Sequence, residues 1–420
     1  MSINLYQEFC KTRNLEAAWK SVRSNIQAKG PGEKPLGFDR FEENTSTAIR
    51  SLQSRLSGKS FKFSKQKGVL IQKGSGGSRP LVISTLEDRV VHRAILNVLQ
   101  SHVPAIQNVL KTPSSYGAIP KDYSVGEFGG VSAAINKVRE LFKGGFVHYY
   151  RSDIPSFFTK VKKCRIDRFI ESSVDDEYFV KFFKQAMEVS LENSSALTND
   201  ALSMFPDEKE GISQGSPLSP LMANIYLYDF DSSMIQHKGC ECLRYLDDIL
   251  ILAKSRDELH RSVDLAIKQL KKVGLELYSQ DDKKKEKYSS GDVNSGGFEF
   301  LGCSITNGSV SPSASSRGRL LENINSKCNR FILSLDILDV GGSSMPMTYP
   351  EFLEDIRRTV TGWAMSYRFC NNKFFFEAVD KKVSLELDRV HARLSKITKN
   401  RDKFYLIYGV STSNIVFPKE

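Results

Sequence analysis

Tyr245-Leu246-Asp247-Asp248 is the stretch on which the reading of this chain turns. It stands between a short strand-like run ending at Arg244 and the apolar run at residues 249–253, so its two aspartates occupy a turn. Asp is an ordinary turn residue, and an Asp-Asp hairpin tip taken alone is surface chemistry. A third aspartate, Asp153, follows Tyr149-Tyr150 upstream. Three carboxylates brought together in this way can hold two metal ions.

The order of the surrounding motifs gives the turn its meaning. Upstream stand Ser78-Arg79-Pro80-Leu81, then Asp153-Ile154-Pro155-Ser156-Phe157-Phe158, then Gln214-Gly215-Ser216-Pro217-Leu218-Ser219-Pro220. Downstream comes Phe298-Glu299-Phe300-Leu301-Gly302. These short matches, in one order and at fitting separations, resemble a reverse transcriptase. The resemblance implies an α+β right-hand polymerase with fingers, a split-βαβ palm and a helical thumb.

Composition is compatible with that reading. At 420 residues the chain is long enough for several compact lobes. A net charge of +11 and a pI near 9.1 favour a polyanionic partner, for which nucleic acid is the natural candidate. No apolar run approaches the roughly 18 residues of a membrane span. Residues 1–13 lack a cationic start followed by an apolar core. A cytoplasmic protein with no membrane partner is expected. Seven cysteines are an odd number for a disulfide framework, and Cys240-Glu241-Cys242 lacks a second close pair, so reduced thiols are expected and a zinc site is not.

Three lobes are expected along the chain. Residues 1–145 form the fingers with an N-terminal extension, where a Gly/Ser-rich loop at residues 74–78 reads as a hairpin tip carrying Lys73 and Arg79. A helical stripe follows in Val90, Val91, Ala94, Ile95, Val98 and Leu99. Residues 146–310 form the palm, with extended runs at residues 146–150, 243–246 and 249–253. One helix is expected over residues 218–236, and another begins with the capping pair Ser255 and Glu258. Strand, helix, hairpin, helix is the order of a split βαβ sheet. Residues 311–420 form a helical thumb and basic C-terminal segment, with one apolar stripe from Leu320 to Leu335, a second helix opening at Pro350 and a third running from Phe375 to Leu394.

The resemblance also assigns roles. Asp153, Asp247 and Asp248 are the implied catalytic carboxylates, holding two Mg²⁺ ions (or Mn²⁺) with help from the Ile154 carbonyl. Phe158 falls where the family carries an aromatic ring against the sugar 2' position, which favours deoxynucleotides. Lys73 and Arg79 are the candidate triphosphate clamp. Gln214, Gly215 and Tyr245 complete the nucleotide site, and Phe300, Leu301 and Gly302 resemble the primer grip. The lysine expected after the palm helix is less clean, because Gly274-Leu275-Glu276-Leu277 is followed by Tyr278, and Lys283, Lys284 and Lys285 arrive late.

Residues 35–39, 88–91 and 115–117 look like the N-terminal half of group II intron enzymes, and Gly362-Trp363-Ala364 with Tyr367-Arg368 looks like part of their thumb. The likeness spans roughly residues 15–370. With no Cys/His-rich nuclease and no Asn-Ala-x-x-His retron signature in this sequence, a stand-alone, defence-associated enzyme of the unknown-group type is the expectation. It would copy a structured non-coding RNA, serving as template and scaffold, into cDNA from dNTP substrates. A non-templated or protein-primed polymerase, a group II intron or retron enzyme, and a non-enzymatic splicing helper remain the alternatives. Around Trp363, Arg389, Arg393 and Lys396, the basic thumb end is the expected nucleic-acid contact, although a solvated helix face would carry the same charges.

Overall fold

The computed structural model describes residues 4–27, 35, 37–72, 77–117, 129–278, 287–342 and 344–410. Lys73 and the lysines at 283–285 lie outside these residues.

Among the described residues the strands form three sheets. β1 (Lys67–Gln72) and β2 (Ser78–Ile83) form the expected antiparallel hairpin, with Val69 opposite Leu81 and Ile71 opposite Arg79. β3 (His148–Asp153), β4 (Cys240–Tyr245), β5 (Asp248–Ala253) and β6 (Tyr288–Asp292) form a four-stranded sheet in the order β4-β5-β3-β6. Both β3 and β4 run antiparallel to β5, so they are parallel to each other and split by the strand inserted between them. This is the split βαβ arrangement. β5 reads Asp-Ile-Leu-Ile-Leu-Ala because both faces are covered: Ile249, Ile251 and Ala253 enter the main core with Phe157, Tyr226 and Leu270, and Leu250 and Leu252 are fully buried on the opposite face.

Helices follow the apolar stripes. The Leu86–His102 helix starts at Thr85, whose side chain accepts from the Asp88 amide, and all six stripe residues named above are buried. Arg256–Lys271 begins with the Ser255–Glu258 capping box. The single helix expected over residues 218–236 is instead two, Ser219–Tyr226 and Tyr228–Gln236. Leu227 leaves the helical region at φ −99° and ψ 7°, and the second helix opens with Asp229 and Asp231 in its first turn, where N-terminal partial positive charge favours acids.

The chain divides into two compact units, Met1–Lys137 with Gly144–Ser290, and Val138–Lys143 with Gly291–Glu420. These boundaries differ from the expected 145 and 310, because helices from both of the first two expected lobes share one continuous core. In the second unit, β7 (Phe298–Phe300), β8 (Cys303–Thr306) and β9 (Ser309–Pro312) form an antiparallel meander. Three long helices, Ala314–Asp339, Tyr349–Ser366 and Phe374–Ile397, pack around Leu320, Cys328, Phe352, Val379 and Val390. A further helix, Arg401–Tyr408, was not expected from the sequence. All seven cysteines are free, and among the described residues no helix is long and apolar enough to cross a membrane.

Candidate active site

Pairing in the four-stranded sheet brings the aspartates together. The β3–β5 register sets Asp153 directly opposite Asp248, and the β4–β5 register sets Tyr245 opposite Asp248. Leu246 and Asp247 are left as the tip, where Leu246 adopts a left-handed φ of 57°. The Ile154 amide donates to the Asp247 carbonyl at 2.9 Å, fastening the end of β3 to that tip.

A fully buried arginine fixes the tip from beneath. Arg244 Nε and Nη2 donate to the two Asp231 carboxylate oxygens at 2.8 and 2.5 Å. Nη1 donates to Asn224 Oδ1 and the Leu246 carbonyl, both at 3.1 Å, and Nη2 also reaches Ser115 Oγ at 3.0 Å. Asn224 in turn donates to the Gly117 carbonyl at 3.0 Å. A Cβ on Gly117 would stand 2.9 Å from the Leu246 amide, so only glycine lets that segment lie against the turn.

The carboxylates meet two cations absent from the sequence-based site. Arg151 Nη2 donates to Asp153 Oδ1 at 2.8 Å and to Asp248 Oδ1 at 2.7 Å, bridging the strands. Lys287 Nζ donates to Asp153 Oδ2 at 2.5 Å. Burial works against ionised Asp153, yet its hydrogen bond with Asp248 and the charges of Arg151 and Lys287 hold its carboxyl below the ordinary range. Asp248 moves the other way: burial, and then Asp153 beside it, push it up against the pull of Arg151. Burial and Asp153 also raise Asp247, while Lys287 and Arg79 pull it down. Arg151 had a readable signal, since residues two apart on a strand share a face. No comparable spacing announces Lys287.

A cleft of about 980 Å³ opens beside the tip and is lined by Arg79, Phe158, Gln214, Gly215, Leu246 and Asp247. Phe157 and Phe158 lie at the start of a short helix, Phe157–Lys160, and not on a strand; Phe157 is core and Phe158 is half-buried at the cleft wall. The Gln214 carbonyl accepts from the Val82 amide at 2.9 Å, tying the turn to β2. Gly215 has φ +124°, and a Cβ there would lie 2.7 Å from the Val82 carbonyl oxygen. Tyr245 is half-buried, and burial raises its phenol.

In the second unit, Phe300 is buried and Leu301 and Gly302 form the β7–β8 turn with φ of 51° and 75°. Trp363 donates its indole N–H to Ser316 Oγ at 3.1 Å and packs at tilted angles against the rings of Tyr367 and Phe376. Arg389 binds Glu386 and Asn329, and Arg393 binds Asp336 and Asp339; both tie their helix to neighbours of the same unit, while Lys396 is exposed.

Among the described residues no group of three or more His, Cys, Asp or Glu gathers closely enough to hold a metal ion. The donor chemistry nevertheless suits a hard divalent cation: Asp153 and Asp248 are adjacent, Asp247 is their neighbour, and repulsion from Asp153 raises both of the others.

A model of the family described as Reverse transcriptase (RNA-dependent DNA polymerase) matches residues 71–305. The chain is 27% identical over 229 residues to the uncharacterized 91 kDa protein in cob intron of Schizosaccharomyces pombe, covering 54% of this chain and 26% of that one. It is 25% identical over 239 residues to the group II intron-encoded protein LtrA of Lactococcus lactis subsp. cremoris, covering 56% and 35% respectively. The chain thus spans about a quarter to a third of the length of these two curated relatives. Among solved structures, apo telomerase from Candida tropicalis aligns at a TM-score of 0.42 and 14% identity over 89% of this chain and 68% of that one. With more than half of its residues inside the family match, the chain belongs to the reverse transcriptase family.

Proposed function

We propose that the chain is an RNA-directed DNA polymerase acting at the Asp153–Asp247–Asp248 site. The observation that carries this reading is the strand register that puts Asp153 opposite Asp248, next to Asp247, which lines a cleft with Arg79, Phe158 and Gly215. Reverse transcriptases use divalent metal ions; Asp153, Asp247, Asp248 and the Ile154 carbonyl would hold Mg²⁺ or Mn²⁺. Two such ions supply activation of the primer 3'-hydroxyl and neutralisation of the pyrophosphate leaving group.

The remaining work falls to the chain itself. Arg79 is exposed at the cleft and grips the triphosphate, its planar fork matching phosphate oxygens. Lys73 is its proposed companion. Phe158 crowds the sugar 2' position and offers no hydrogen-bond partner to a ribose hydroxyl. Gln214 and Tyr245 flank the nucleotide, Gly215 lets backbone come close, and the Phe300-Leu301-Gly302 turn contacts the primer. Arg389, Arg393, Lys396 and Trp363 belong to a nucleic-acid-binding thumb in this reading.

The biological role we put forward is synthesis of cDNA from dNTPs on a dedicated structured RNA, in the cytoplasm, as part of antiphage defence. The polymerase part of that role is supported by the likeness of the motifs to group II intron enzymes; the defence part is what the phage experiment below decides. A primed RNA template with dNTPs and Mg²⁺ tests the chemistry: the parent should extend the primer and the Asp247→Ala, Asp248→Ala double variant should not, while still binding RNA. Equal incorporation by both proteins would overturn the site. Sequencing the RNA and DNA that copurify, and phage plating with and without the active aspartates, tests the role; loss of protection in the inactive variant is the expected result.

A further inference from the structure

In the second unit, the segment that leaves the Tyr349–Ser366 helix lies against the β7–β8–β9 meander. At one end Tyr367 holds its hydroxyl over the β7–β8 turn, where a Cβ added to Gly302 would stand 3.0 Å from it, and that hydroxyl accepts from Ser316 Oγ at 2.7 Å. At the other end the Asn371 and Asn372 amides both donate to the Val310 carbonyl of β9, at 3.1 and 3.2 Å, and Asn371 Oδ1 accepts from the Val310 amide at 2.7 Å. Cys370 is carried between these two anchors. Cys303 opens β8 directly after Gly302, stands opposite Pro312 of β9 and is fully buried. The two thiols meet there: Cys303 donates its S–H to the Cys370 sulfur.

The sulfurs of this pair are unequal. Cys370 is half-buried, so a small solute reaches it, whereas Cys303 has no exposed surface. The hydrogen bond from Cys303 and the charge of Arg139 lower the Cys370 thiol against the opposing effect of burial. The same hydrogen bond, and then burial, raise Cys303. Cys370 is therefore the partner that becomes a thiolate, with a protonated thiol already beside it. At Cys10, Cys240, Cys242 and Cys328 burial is the leading influence and raises the thiol. Cys164 is the exposed cysteine and so the natural competitor for an oxidant.

We propose that Cys370 and Cys303 form a peroxide-reactive pair, whose disulfide fastens residues 367–372 to the β7–β8 turn. The Cys370 thiolate attacks one oxygen of hydrogen peroxide, the O–O bond breaks, and hydroxide leaves to take up the proton that Cys370 gave on ionising. Cys370 becomes a sulfenic acid, its sulfur having given two electrons to the peroxide. The Cys303 sulfur then attacks the Cys370 sulfur, the S–O bond breaks, and the hydroxyl leaves with the Cys303 proton as water. In sum, two thiols and one peroxide give one disulfide and two waters. A dithiol reductant such as dithiothreitol returns both thiols. The pair belongs wholly to the second unit and stands whether or not the first unit polymerises DNA.

The experiment treats the full-length parent with less than one equivalent of hydrogen peroxide, blocks the remaining thiols with N-ethylmaleimide and maps the peptides without reductant. A cross-link between the Cys303 and Cys370 peptides should appear before Cys164 is oxidised, and dithiothreitol should remove it. The same treatment in urea should abolish that preference, because the folded hairpin and segment create it. Cys303→Ala, checked for folding by its melting curve, should leave the Cys370 sulfenic acid unresolved, so that dimedone labels Cys370 about tenfold more than in the parent. Oxidation of Cys164 while Cys303 and Cys370 remain thiols overturns the proposal. So does Cys370 passing to the sulfinic acid in the parent without forming the cross-link, or a preference that persists in urea. These three readings use the parent alone, so they hold even if the variant fails to fold.

Discussion

Arg151 answers two aspartates at once, which makes it the residue on which the charge balance of the site depends. Removing it leaves Asp153 and Asp248 facing each other with Lys287 on one side only. Loss of one partner from a fully buried pair costs roughly 3–5 kcal/mol, and partial exposure with Lys287 still present brings the expected loss for Arg151→Gln to about 2 kcal/mol. Urea denaturation in chelator should show this as a lower midpoint at unchanged slope, and Mg²⁺ should recover more stability in the variant than in the parent. At Phe158, replacement by alanine should raise the ribo- to deoxyribonucleotide ratio of kcat/KM by at least tenfold; a fixed ratio in an active variant would place the sugar gate elsewhere. Asp153, Asp247 and Asp248 were legible because their residue types and order are chemical. Arg151 was legible only as a position on the same strand face, and Lys287 not at all, since its partner lies across a stretch with no periodic signal.

Elements with a clear period were legible to within a few residues, as the Leu86–His102 helix and the β1–β2 hairpin show. The break at Leu227 was not, because the apolar pattern continues through it and only backbone geometry interrupts the helix. The basic thumb end shows the same limit: a charge run does not disclose that Arg389 and Arg393 have acids waiting on their own unit. The Leu86–His102 helix also carries a pH liability. His92 is buried against Phe63, and burial pushes its imidazole down to about 4. Its folded pKa lies below the unfolded 6.5, so protons bind the unfolded chain first and stability falls as pH drops from about 6.5 toward 4, by up to about 3 kcal/mol. His92→Leu should flatten that part of the denaturation midpoint against pH. At the β2 contact, Gly215→Ala should displace the turn from Val82 and lower kcat/KM for dNTPs at least tenfold, since both the positive φ and the carbonyl oppose a methyl group.

Across the whole molecule, the site is a product of long-range assembly. Ser115, Asn224, Asp231 and Arg244 come from four separate segments to hold one turn. Arg244→Met should cost about 3–5 kcal/mol by stranding Asp231, and rescue by Asp231→Leu in the double variant should restore part of it, as read by thermal melting. Strand order adds a matter of timing. The ribosome makes β3 first, then a long run of helices, then β4, and only afterwards β5, the strand that must enter between the other two. Such distant pairing is slow to form because the intervening chain must be closed first. During synthesis, therefore, Asp153 emerges on a strand without its central neighbour, and the growing chain cannot present the opposed carboxylates until β5 has been made and inserted. The order in which the residues are translated keeps the chemistry silent on the unfinished protein.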